Sequence, residues 1–214
     1  MDYVSERKRL VDNLVSEGYL ETQSVIDAML KIPRERFVPE AMRNSAYADC
    51  PLPIGEGQTI SAPHMVAIMT EKLQLGENHV VLEVGSGSGY QAAVLAEIAK
   101  HGFIYTIERV PTLVEYARNN LRFCGIRNVE IVPSDGTLGY SKKAPYDRII
   151  VTAAAPKIPK ALVSQLKEDG LLLIPVGNRF LQTLVEVRKE KGKVFEKNHG
   201  GCVFVPLIGE DGWN

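Results

Sequence analysis

Glu83, Gly85, Gly87 and Gly89 fall on every second position between an apolar stretch and a helical one, which is the spacing of a nucleotide-binding turn. Apart from Glu83, residues 80–84 are apolar and rich in β-branched side chains, as a buried strand requires. The glycines let the backbone turn sharply and approach a ligand with no Cβ in the way. From Tyr90 to Lys100 apolar residues recur at helical spacing, so the block predicts strand, turn, helix. A dinucleotide fingerprint is Gly-x-Gly-x-x-Gly, whose last glycine allows close helix packing, and Tyr90 stands where that glycine should be. Two more acids follow strand-like runs. Glu108 comes after 103–107, about the separation at which an acid holds ribose hydroxyls. Asp135 and Gly136 come after 128–132, where a carboxylate can accept from an adenine amino group while glycine leaves room for the ring. Taken singly, these are a solvated acid and an ordinary turn; in register with Glu83 they form one site.

The elements that would position this site read as an α/β alternation. Helices are predicted at 9–17 and from Thr22 or Ser24 to Leu30, ending before Pro33. Residues 33–63, with five prolines, read as a long ordered loop of the kind that serves function. Then come helix 64–73, strand 79–84, helix 90–100, strand 103–107, helix 111–124, strands 128–132 and 146–152, helix 159–167 and strand 170–176. That order predicts a doubly wound, mostly parallel sheet, Rossmann-like, with N-terminal helices. Runs at 183–188, 194–197 and 202–207, with a charged turn at 189–193, predict a C-terminal antiparallel hairpin on one sheet edge. The 214 residues fit one domain, with 1–63 as helices and active-site loop, 64–177 as cofactor core and 178–214 as terminal strands.

Composition excludes several classes. The net charge of −1 offers no basic excess for nucleic acid. No apolar run approaches a membrane span, and the charged N-terminal residues do not read as a signal peptide. Cys50, Cys124 and Cys202 are scattered without a Cys-x-x-Cys pair, which predicts no metal site, no disulfide framework and a reducing cytoplasm.

The segment Glu83-x-Gly85-x-Gly87-x-Gly89 resembles motif I of the S-adenosyl-L-methionine (SAM)-dependent methyltransferases. Base-amino methyltransferases carry an Asn/Asp-Pro-Pro-aromatic clamp after the fourth strand; Ala153-Ala154-Ala155-Pro156 stands there instead, which argues against nucleobase amines. Gly55-x-x-x-Thr59-Ile60-Ser61-x-Pro63 is more specific. With Asp135-Gly136, the 151–156 run, Pro175-Val176-Gly177 and Phe204-Val205-Pro206-Leu207, it resembles the protein-L-isoaspartate (D-aspartate) O-methyltransferases over about residues 10–208. The resemblance implies methyl transfer from SAM to the free α-carboxylate of L-isoaspartyl, and also D-aspartyl, residues in damaged peptides and proteins. Repair then follows through a succinimide. It implies that Ser61 is the active-site serine and that Ile54, Gly55, Glu56 and Gly57 close over SAM. Glu83, Gly85, Gly87 and Gly89 then form the cofactor turn, Glu108 and Asp135-Gly136 contact ribose and adenine, and Thr59, Ser61 and His64 face the substrate of a monomeric enzyme. The tail after Leu207 departs from the family pattern.

The residues allow this chemistry independently. A carboxylate, whose ordinary pKa is about 4, is already anionic at neutral pH and needs no general base to attack a methyl sulfonium. Positioning in a partly dry pocket then supplies the acceleration. Ser61 precedes a helix opening at Pro63, so its hydroxyl reads either as a plain N-cap or, as the resemblance favours, in a dual role, accepting from a helix N–H while donating its proton to a substrate carboxylate held at the helix N-terminus. His64 can line the same mouth or serve as a structural histidine. Three alternatives remain at this point: another carboxylate or small-molecule methyltransferase, a NAD-linked oxidoreductase, and a non-catalytic SAM-binding module.

Overall fold

Asp2 opens the first helix by accepting from the backbone N–H groups of Val4 and Ser5 at 3.1 and 3.3 Å. The computed structural model describes residues 2–214. Helix α1 therefore covers Tyr3–Ser16, starting earlier than its apolar spacing predicts, because its first turn faces solvent and Val4 is exposed. Helix α2 (Gln23–Lys31) follows. The 33–63 segment is more structured than the predicted loop. It holds 3-10 turns at Arg34–Arg36 and Glu40–Ser45, then a short antiparallel hairpin of β1 (Leu52–Gly55) and β2 (Gln58–Ile60). Prolines at 39, 51 and 53 hide this hairpin from a strand reading, since proline withholds a ladder donor.

The alternation then runs α3 (Pro63–Leu73), β3 (Val80–Val84), α4 (Tyr90–Ile98), β4 (Phe103–Glu108), α5 (Pro111–Phe123), β5 (Val129–Pro133) and β6 (Tyr146–Val151). Helix α6 spans only Lys160–Ser164, and β7 (Leu166–Gly177) begins within the predicted helix. Leu166 pairs with Tyr146 ahead of a register shift, so sheet pairing takes residues that propensity assigned to the helix. Strands β8 (Gln182–Glu190) and β9 (Lys193–Cys202) form the predicted hairpin, turned by Lys191 and Gly192, both at positive φ. The run 202–207 is not the predicted separate strand. Cys202 ends β9, and the chain crosses to pair Pro206 with Ala154.

The seven-stranded sheet has the order β5-β4-β3-β6-β7-β8-β9, parallel through β7 and antiparallel beyond. Strand order reverses between β3 and β6, where a doubly wound sheet opens its ligand crevice. Both faces are dry. Val81, Ile104 and Ile150 pack with α3 and α4, while Leu82, Val84, Ile149 and Val151 pack with Leu162 of α6. Helices α1 and α2 form an outer layer on α4. Each such buried aliphatic contributes about 1.5–3 kcal/mol, and that burial holds the strand ends in place.

Candidate active site

The glycine turn leaves β3 with Gly85 at φ +99°, a conformation L side chains avoid, and a Cβ there would strike the Thr152 hydroxyl. Thr152 donates to the Val84 and Gly85 carbonyls at 3.1 and 2.7 Å, binding the end of β6 to the turn. Gly85 and Ser86 donate to the Ile107 carbonyl at 2.9 and 3.1 Å. Glu108, 7% exposed, accepts from Gly87 N–H at 2.9 Å through one oxygen and from Val110 N–H at 3.0 Å through the other. Gly89 serves a different purpose: it lets α4 start against Ala117 of α5.

These elements wall one cavity, open to solvent. Thr59, Ser61, Gly85, Gly87, Glu108 and Gly136 all line it, with Tyr90, Thr152 and the 205–208 segment. Ser61 is half-buried, and no protein group among the described residues hydrogen-bonds its hydroxyl. The structure rejects the N-cap reading: Ala62 is the cap residue of α3, and the His64 N–H is taken by Asp49 at 2.9 Å. Ser61 is instead held by its carbonyl, which accepts from Nη2 of Arg34 at 2.8 Å.

Other expected site residues lie apart from the cavity wall. Ile54 is buried, with its Cδ1 3.3 Å from where a Gly87 Cβ would sit, so the hairpin presses on the outside of the turn. Gly55, Glu56 and Gly57 form the hairpin tip, all at positive φ, and Glu56 accepts from Thr112 of α5 at 2.8 Å. His64 stacks near Tyr19 at 5.7 Å and places Nδ1 2.9 Å from Asp49, away from the cavity. Glu83 lies beneath the turn, fully buried. Neither of its oxygens has a partner within hydrogen-bond geometry, and the nearby Thr106 hydroxyl lies 2.7 Å from that of Ser86. Burial therefore pushes the Glu83 carboxyl up to about 8, against partial relief from Thr106 and with added repulsion from Glu108.

Asp135 is held by the protein itself. One oxygen accepts from the Thr137 N–H and hydroxyl at 2.8 and 2.7 Å, and the other from Glu210 N–H at 2.8 Å. Burial raises its pKa, but these bonds outweigh it and hold the carboxylate below its ordinary range. The tail beyond Leu207 is thus docked on Asp135. Trp213 adds a bond from its indole N–H to the Ala154 carbonyl at 3.1 Å, and Ile208 reaches the cavity wall. Sequence reading missed Arg34 and this tail, and gave Thr152 only as part of the 151–156 match. Only the Pro206–Leu207 match hinted at the last, and Arg34 sits in a Pro-Arg-Glu-Arg run that looks like a solvated turn. Among the described residues, no group of three or more His, Cys, Asp and Glu side chains is placed to hold a metal, and no helix is long and apolar enough to cross a membrane.

The family model for protein-L-isoaspartate(D-aspartate) O-methyltransferase (PCMT) matches residues 5–212. The chain belongs to this family. It is 57% identical over 210 residues to protein-L-isoaspartate O-methyltransferase of Methanopyrus kandleri, covering 97% of this chain and 93% of the relative. The enzyme of that name from Hyperthermus butylicus is 54% identical over 217 residues, covering 97% and 90%. Among solved structures, a Plasmodium falciparum protein described as an isoaspartate methyltransferase of this family, in complex with S-adenosyl-L-homocysteine (SAH), superposes with a TM-score of 0.85 at 30% identity. That match covers 94% of this chain and 98% of the other. Family membership reaches both the glycine turn and the Thr59–Ser61 segment, so one family accounts for both sides of the cavity.

Proposed function

We propose that this protein transfers a methyl group from SAM to the free α-carboxylate of L-isoaspartyl residues in damaged proteins, with D-aspartyl residues as a further substrate. The observation that carries this reading is the juxtaposition, in one cavity, of the glycine turn with a serine whose hydroxyl no protein group uses. The cavity suits an adenosyl group. Its wall at Gly85, Gly87 and Gly136 is bare of side chains, and a Cβ on Gly136 would strike Val84. Each Glu108 oxygen accepts one N–H, and an ionised carboxylate has about four lone-pair sites, so it retains acceptors for ribose hydroxyls. Gly136 and the Asp135 turn would flank the adenine, and the 54–57 hairpin and Glu83 would brace the turn from outside and beneath.

SAM held there would supply a methyl on a positively charged sulfur: the carboxylate oxygen would bond to that carbon as the carbon–sulfur bond breaks, leaving the methyl ester and SAH. The protein's own residues position that oxygen. Ser61 donates its hydroxyl proton to the substrate carboxylate, Thr59 lines the same wall, and His64 stands just outside on α3. No side chain has to remove a proton, because the substrate carboxylate is anionic at neutral pH. The neighbouring amide nitrogen then attacks the ester carbonyl carbon, the methoxide leaves with the N–H proton as methanol, and water opens the resulting succinimide to return some normal aspartate. The walls come from 1–63, 64–177 and 178–214 alike, which supports a single domain, and the proposal takes the enzyme as a monomer. Its three free cysteines suit the cytoplasm.

The test is methyl transfer from labelled SAM to paired peptides that differ only in Asp or isoAsp. In isoAsp the carboxylate sits directly on Cα, one methylene closer to the main chain than in Asp. A methylene alone gives about 10–200-fold discrimination, so base-labile label on the isoAsp peptide at least tenfold above its partner is expected. Equal labelling of both peptides overturns the assignment.

Glu108→Ala is expected to weaken SAH binding about tenfold or more, since charge-assisted hydrogen bonds contribute about 1.5–3 kcal/mol. Calorimetry on the folded variant measures this, and unchanged affinity removes Glu108 from the cofactor site.

A further inference from the structure

Arg34 is the largest fully buried side chain, at 0% exposure, and it sits outside the cavity between the two segments that wall it. Its Nε donates to the Ala46 carbonyl and its Nη2 to the Ser61 carbonyl, both at 2.8 Å. The guanidinium carbon lies 5.0 Å from the ring centroid of Tyr90, the cavity-lining residue that opens α4. Phe37 braces the same ring from the side at 5.4 Å. Nη1 is buried without a partner, an arrangement that costs free energy and is kept only where the other contacts require the planar fork.

Among the described residues, Ser61 has no other polar restraint. The α3 cap is Ala62, Asp49 satisfies the first turn, and the serine hydroxyl is unpartnered, so the Arg34 bond alone ties Ser61 down by polar contact. We infer that Arg34 is a positioning residue for methyl transfer: it fixes the Ser61 backbone relative to Tyr90 and the glycine turn, and so aims the serine hydroxyl at the substrate carboxylate. This rests on the proposed role of Ser61. A lysine keeps the charge but loses the fork, and cannot reach both carbonyls in the same plane.

The test compares Arg34→Lys, Arg34→Ala, Ser61→Ala and the Arg34→Lys/Ser61→Ala double variant. SAH affinity is read by calorimetry, and kcat and KM on the isoAsp peptide by label transfer. Arg34→Lys is expected to lower kcat at least about tenfold, the scale of a misplaced reacting group, with SAH affinity within about threefold. On the Ser61→Ala background the same change should alter kcat less than about twofold, because the two residues act as one unit. Added methylguanidinium should restore part of the kcat of Arg34→Ala. Additive losses in the double variant overturn the positioning role, as does parallel loss of SAH affinity and kcat in Arg34→Lys. Ser61→Ala with wild-type kcat overturns the underlying reading of the serine instead.

Discussion

Replacing Ser61 by alanine is expected to lower turnover on an isoaspartyl peptide about a hundredfold, with SAH affinity held within about twofold. The size follows from what the reaction needs. A substrate carboxylate is already a nucleophile, so the barrier that protein can remove lies in bringing one oxygen in line with the methyl group, and misplacement on the order of 1 Å costs about 10²-fold. The direction follows from the local geometry. The hydroxyl caps nothing, since Ala62 ends the turn ahead of α3 and Asp49 holds the His64 N–H, so its loss should not loosen the helix. Ser61 reaches the cavity from the hairpin side, whereas the turn, Glu108 and Gly136 lie on the sheet side. Single-turnover label transfer beside SAH calorimetry separates the two effects. If affinity and turnover fall together, Ser61 acts through the 54–61 segment, and equal turnover leaves its hydroxyl without a part in the reaction.

What was legible in the chain was whatever a local pattern dictates. The apolar run 80–84 and the alternating glycines read correctly as strand and turn because burial on both faces and positive φ leave few other residue types possible. The acids at the C-terminal ends of β3 and β4 and just beyond β5 read as one edge because parallel strands must deliver those ends together, and the register Val84 to Ile107 and Glu108 to Pro133 does so. Contacts between distant segments carried no such mark. Asp135 pairs with Glu210 across 75 positions, and no periodicity links them. Arg34 reaches Ser61 across 27 positions from a run of charges that elsewhere faces water. The shortened α6 and the crossing at 203–207 failed for a related reason: sheet pairing and the dock on Ala154 decided them against local propensity. The His64 ring is turned toward Asp49, a partner fifteen positions away that a one-dimensional reading cannot supply.

Glu83→Gln is expected to stabilise the protein increasingly as pH rises, by roughly 5 kcal/mol at pH 8 and above. The carboxyl is fully buried with neither oxygen hydrogen-bonded, which pushes it from 4.5 up to about 8. Its folded value is raised, so the unfolded chain releases the proton first. The group favours the folded state fully below pH 4.5. That contribution is lost as pH rises from 4.5 through 8, where the folded form ionises too. The interval between the two values, at about 1.36 kcal/mol per pH unit, gives the stated size. Glutamine keeps the shape and has no charge to bury, so its stability carries none of this slope. Other carboxylates titrate alike in both proteins and cancel in the difference. Urea unfolding of wild type and variant at about pH 5, 6, 7 and 8, with equal m-values, measures the gap directly. It should widen at each step and flatten above the folded value. A constant gap over that range would mean that Glu83 is ionised in the folded protein throughout, with a counter-charge or water supplying what Thr106 does not.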